Sequence, residues 1–219
     1  MKFSLTVPQL FYDVIARVLP GFFFLILLKV LMQDTGISLE VFRISPTDNA
    51  VMTLGYGLGY LFIFYLTGWL LEASVFLSTE KKIKHKFNRQ INYENVWLGE
   101  NIKIDDMFQL LRLRHPEAGF RVVKLRAEAR MLESTRCAMY FIILTFLVIC
   151  LLGYSGFFFI ERISPLSWGI KFIVPLIIFE RLRKLEKPAW KRYFGNVSRI
   201  YKLISMEMKA KGENKWHFD

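Results

Sequence analysis

Cysteine and histidine are scarce in this chain, and their positions exclude several chemistries at once. The two cysteines, Cys137 and Cys150, share one apolar run, so no disulfide framework is implied. The three histidines, His85, His115 and His217, have no Cys, Asp or Glu at metal-ligand spacing, and no metal or cofactor is expected. Cys137 lacks a local base to make it a nucleophile. His115 and Glu117 flank Pro116 and are the nearest approach to an acid/base pair, but a turn with exposed polar side chains accounts for them. The apolar runs themselves offer mostly Thr67, Thr145, Ser155 and tyrosines, not the paired polar residues of an intramembrane enzyme. Acidic residues are also short, 19 against 30 basic, for a formal net charge of +11. No catalytic constellation emerges, and the chain reads as a non-enzyme.

What is plentiful is apolar. Hydrophobic residues make up 53% of the 219, with 21 phenylalanines. They are bunched into four clusters, 18–32, 51–71, 137–160 and 166–179. A bilayer needs about 17–25 such residues per helix. The second and third clusters meet that length; the first is short, with Lys29 near its end, and the fourth is shorter, with Lys171 and Pro175 inside it. No small-residue cleavage site follows the first cluster, which reads as an uncleaved span.

Basic residues set the orientation, because lysine and arginine avoid the translocated side. With the N-terminus inside, residues 1–17, 79–136 and 181–219 hold two, 13 and 11 of the 30 basic residues. The expectation is an all-α polytopic membrane protein with four transmembrane helices, N-in and C-in, and a helical cytoplasmic subdomain. Its parts are an N-terminal helix (1–17), a first hairpin (18–78), a basic loop (79–136), a second hairpin (137–180) and a basic tail (181–219).

Three alternating glycines, Gly55, Gly57 and Gly59, open the second cluster in "LGYGLGYLFIFYLTGWLLEAS". A dinucleotide loop would need a preceding strand and an amphipathic helix after it, and neither is present. Gly55 and Gly59 share a helix face in the pattern that lets backbones approach closely. Gly57 points the other way, within about 20° of Gly68. Two small-residue faces suit a neighbour in the bundle and a second protomer, so a homo-oligomer is expected. Glu72 lies four residues after Gly68, on its face. Its position suits either the cytoplasmic interface or a pore or subunit contact.

The run "TEKKIKHKFNR" leaves the second span directly and supplies Lys81, Lys82, Lys84, Lys86 and Arg89. Such clusters attract anionic lipid headgroups, and nucleic-acid phosphates attract the same charges. Asp105 caps a helix over about 106–113, which stops before Pro116. From Ala118 a charged helix runs unbroken into the third span, with Val122, Leu125, Ala129 and Leu132 as its apolar stripe and Lys124, Arg126 and Arg130 elsewhere. The stripe should pack on the "FQLLRL" helix or on a second subunit. In the tail, Trp190, Tyr193, Phe194, Val197, Ile200, Tyr201, Ile204 and Met208 fall at spacings of three and four, with Lys191 and Arg192 on the other side. That helix either lies in the headgroup plane with its aromatics inward or closes over the loop helices. Pro20 and Gly21 mark a bend from the first helix into the membrane.

The order "YDVIARVLPGFFFLILL", "LGYGLGYLFIFYLTGWLLEAS" and "KLRAEARMLESTR" entering a span resembles small bacterial inner-membrane proteins, some of which accompany antiphage defence systems. Four-span accessory proteins beside RNA-targeting CRISPR effectors are similar in size and topology. The resemblance implies an inner-membrane accessory or effector with a cytoplasmic protein or ribonucleoprotein partner, and it carries over no functional residue. A homo-oligomeric channel or membrane-disrupting effector, packed through the glycine faces, is the competing expectation.

Overall fold

The computed structural model describes residues 6–33, 50–73, 79–95, 104–114, 116–154 and 165–210. All of the secondary structure among them is helical. The helices are α1 (Thr6–Met32), α2 (Ala50–Ala73), α3 (Thr79–Asn95), α4 (Ile104–Arg114), α5 (Pro116–Tyr154) and α6 (Pro165–Ala210). Three of them, over Phe11–Met32, Thr53–Ala73 and Glu117–Gly153, are long and apolar enough to cross a membrane. The fourth expected span falls inside α6, where the 18 residues from Pro165 to Leu182 include Lys171, Glu180 and Arg181.

The chain divides into two compact units. One comprises Met1–Tyr12, Ser78–Ala129 and Lys187–Asp219; the other comprises Asp13–Leu77 and Arg130–Glu186.

The first unit has its own core. Ile83 of α3, Met107, Phe108 and Leu111 of α4, Val122 and Ala129 of α5, and Trp190, Phe194 and Val197 of α6 are all buried in it. The α5 stripe thus packs on the "FQLLRL" helix, and Leu125 lies partly buried beside it. The tail aromatics do not dip into a headgroup layer. Trp190 is 0% exposed and stacks on Phe194, while Phe87 of α3 tilts against the same ring. Tyr12 of α1 meets Phe120 edge-on, which brings the N-terminal segment into this unit.

Local chemistry explains where these helices begin. The Ile104 N–H, orphaned at the start of α4, donates to Asn88 Oδ1 of α3 at 3.3 Å. The α4 start at Ile104 lies one residue before the expected cap at Asp105, within the usual spread of helix boundaries. Pro116 opens α5, where a missing N–H costs nothing.

The second unit is a bundle of α1, α2, the apolar part of α5 and the first part of α6. Phe24 and Leu27 of α1, Leu71 of α2, Cys137–Met139 of α5 and Ile178, Phe179 and Leu182 of α6 form one cluster. Leu31, Phe146, Ile149, Trp168 and Phe172 form another. Residue order in the two clusters makes α6 antiparallel to α1 and to α5 over this stretch. Pro20 and Gly21, expected to mark a bend, do not end the helix, and α1 runs through both. Gly21 instead serves a close helix contact, described next.

Candidate functional site

Among the described residues, the second unit brings three charged side chains together in one cluster. Glu72, near the end of α2, accepts a hydrogen bond from one arginine and forms an ion pair with a second, through different oxygens. Arg17 Nε of α1 lies 2.8 Å from Oε2, and Arg130 Nη1 of α5 lies 3.3 Å from Oε1. Arg17 Nη1 also donates to the Tyr65 hydroxyl at 2.6 Å, and its guanidinium stands 5.4 Å from the Tyr65 ring centroid. All three charged side chains are between 21% and 25% exposed. Two guanidiniums against one carboxylate leave the cluster with a net charge of +1. Arg130 Nε is buried without a hydrogen-bond partner among the described residues.

Backbone contact between α1 and α2 sets this geometry. A Cβ on Gly68 would stand 1.8 Å from the Arg17 carbonyl oxygen, and one on Gly21 would stand 1.9 Å from that of Phe64. Arg17 and Gly21 are four residues apart on α1, as Phe64 and Gly68 are on α2, so the contact is reciprocal across an antiparallel pair. Each glycine Cα lies against the other helix's carbonyl, the arrangement of weak Cα–H···O contacts at tight helix crossings. Glu72 is one turn beyond Gly68, and the crossing holds it against Arg17.

Gly55, Gly57 and Gly59 sit differently: among the described residues, nothing lies within 4 Å of the position a Cβ would take. Their helix half is exposed, including Leu54, Tyr56, Leu58, Leu61 and Phe62. The two small-residue faces read in α2 therefore divide by depth. Gly68 meets α1, while Gly57, on nearly the same face, meets nothing among the described residues.

A second pair ties α5 to α6 in the same unit. Arg136 Nε donates to Glu186 Oε2 and Arg136 Nη2 to Oε1 at 3.3 Å, with the residues 6% and 1% exposed. The pairing was legible in part: Arg136 continues the stripe of Ala129 and Leu132, and Glu186 lies four residues before Trp190. A charge on an apolar face signals a partner. Arg17 and Tyr65 were the other residues that the sequence reading passed over, and Gly21 was read as a bend and not as a helix contact.

The basic residues of the first unit are unequal in exposure. Lys81, Lys82 and Lys86 are exposed, as are Lys191 and Arg192 on α6. Lys84 is paired with Asp105. Lys124 is exposed, 4.0 Å from Glu128. Arg126 lies over the Phe108 ring at 5.2 Å and 3.9 Å from Glu80, so it belongs to the packing of α5 on α3 and α4. The side chain of Arg89 lies outside the described residues. Among the described residues no group of three His, Cys, Asp or Glu is placed to hold a metal ion. Comparison of the chain with protein-family models, curated proteins and solved structures finds no match.

Proposed function

We propose that the chain is a non-enzymatic inner-membrane accessory or effector, crossing the bilayer four times and presenting a basic cytoplasmic platform to a soluble, acidic-surfaced partner. A nucleoprotein in antiphage defence fits that description. The observation that carries the reading is the composition of the first unit. Its core joins residues between the second and third spans with residues after α6 leaves the bundle, and Tyr12 near the start of α1 meets Phe120 of the same unit. Segments that pack in one core lie on one side of a membrane, so an even number of crossings must separate them. The stretch of α6 beside α5 supplies the return. Its 18 residues from Pro165 to Leu182 extend about 27 Å, close to the ~30 Å hydrocarbon thickness. Arg181 marks the inner boundary, and the stem of Lys171 reaches toward the outer one.

Exposed Lys81, Lys82, Lys86, Lys191 and Arg192 then form the platform's cationic surface. The full chain in neutral-lipid nanodiscs can be titrated with single-stranded RNA and with polyglutamate at low and physiological salt. Joint reversal of Lys81, Lys82 and Lys86 to Glu is expected to weaken the tighter of the two by about tenfold or more, with a shallower salt dependence. Equal binding of the tighter ligand by wild type and the reversed chain removes the platform reading.

The open positions at Gly55, Gly57 and Gly59 favour a second reading, a homo-oligomeric channel or membrane-disrupting effector. Induced expression with a potential-sensitive dye and propidium separates the two. A channel depolarises the cell and Gly59→Leu abolishes the effect, whereas the platform leaves the potential intact in both.

A further inference from the structure

We infer that the Arg17–Glu72–Arg130 cluster is a binding site for the phosphate of an anionic phospholipid headgroup. The inference rests on the membrane reading of α1, α2 and α5 and on nothing about the platform's partner.

Position is the first reason. Arg17 directly precedes the first apolar cluster, Glu72 directly follows the second, and Arg130 precedes the third. The three helices therefore bring the cluster together at one end of their apolar lengths, the depth of the headgroup layer. Charge is the second. Glu72 cancels one guanidinium of two, so one phosphodiester brings the cluster to neutrality. A zwitterionic lipid would restore the excess through its own ammonium, and the site should discriminate against it.

Unused donors are the third reason. Arg130 reaches Glu72 through Nη1 alone. Its Nε, buried and without a partner among the described residues, shares an edge with Nη2. That edge is the fork by which arginine grips a phosphate through two parallel hydrogen bonds. Arg17 commits Nε to Glu72 and Nη1 to Tyr65, which orients its remaining Nη2 and fixes the guanidinium against rotation. A buried donor left unmet destabilises the fold, and a phosphate oxygen at the Arg130 fork removes that cost. Basic pockets between transmembrane helices on the inner side bind such headgroups generally.

The full chain, purified in mild detergent and offered equal phosphatidylglycerol and phosphatidylcholine, tests this by native mass spectrometry. Wild type is expected to retain phosphatidylglycerol in preference, and Arg130→Gln to lower that preference by about fivefold. Glu72→Gln is the deciding variant. It frees a second guanidinium charge, so the preference should rise even where thermal stability falls. If Glu72→Gln lowers the preference as Arg130→Gln does, the cluster only holds the helices together and the assignment fails. The Lys81, Lys82 and Lys86 reversal should leave the preference unchanged; its loss there would mean diffuse attraction to the platform and would also overturn the site. Inorganic phosphate supplies the last arm. If it raises the melting temperature of lipid-free wild type as much as phosphatidylglycerol does, the ligand is a free anion and not a lipid.

Discussion

Gly68→Ala is expected to cost the chain most of its folded yield, while Gly59→Ala leaves the fold intact. The two positions lie on one helix, and their environments are opposite. At Gly68 the added carbon would stand 1.8 Å from a backbone oxygen of Arg17, whereas at Gly59 it meets nothing within 4 Å. A clash with a flexible side chain is relieved by a rotamer change, but a carbonyl inside a helix moves only with the helix. The Gly21–Phe64 contact one turn away prevents a local tilt, so α1 and α2 must separate along the whole crossing. Separation also draws Arg17 away from Glu72 and Tyr65 and leaves charges unpaired at partly buried positions. Overpacking of this kind costs about 1–3 kcal/mol, and the unpaired charges add to it. Against a total stability of roughly 5–15 kcal/mol, that is a large share. Gly59→Ala, by contrast, removes a helix-interior glycine worth about 1 kcal/mol. Thermal unfolding in detergent, followed by size-exclusion chromatography, reads both. A Gly68→Ala chain that melts with wild type would show that α1 and α2 do not cross at these glycines.

Glu186→Gln is expected to destabilise the chain by about 3–5 kcal/mol, the usual cost of stripping a buried ion of its partner. The reason is asymmetry between keeping and breaking the pair. Intact, the carboxylate meets Arg136 through both oxygens, and neither residue is more than 6% exposed. Removing one charge strips a buried guanidinium of the carboxylate that meets it through both oxygens. Removing both, as in Arg136→Met with Glu186→Leu, replaces the pair by apolar volume and is often neutral or stabilising. The double variant should therefore recover most of what the single one loses. Urea or thermal titration decides the matter. A single variant as stable as wild type, or a double variant as poor as the single, would remove the buried pair from the account of how α5 is held to α6.

The contrast between Glu72 and Glu186 shows how far the sequence can be read. Glu72 was visible because it stands alone at the end of an apolar run, where a carboxylate is costly and needs a reason. Its partners were not visible, because Arg17 and Arg130 are 55 and 58 residues away and nothing local distinguishes them from other basic residues. Glu186 was lost among the charges of the tail, although its offset from Trp190 placed it on the buried side. The lysines behave similarly. Counting them oriented the chain, but only packing separated exposed Lys81, Lys82 and Lys86 from Lys84 and Arg126, which pair within the first unit.

Composition and periodicity alone determined that the chain is helical, that it carries helices long and apolar enough to cross a bilayer, and that its charge is concentrated outside the apolar runs. These follow from terms that act within one segment, namely the cost of wetting apolar side chains and of leaving backbone groups unpaired in lipid. Which glycine meets a neighbour, which arginine holds Glu72, and whether the tail's aromatics face lipid or protein were decided only by tertiary structure. Those outcomes depend on which helix lies opposite, and residues far apart in the chain have no local signal for that choice. Gly59 and Gly68 are the same residue in the same helix, and only the helix across from them makes one open and the other closed.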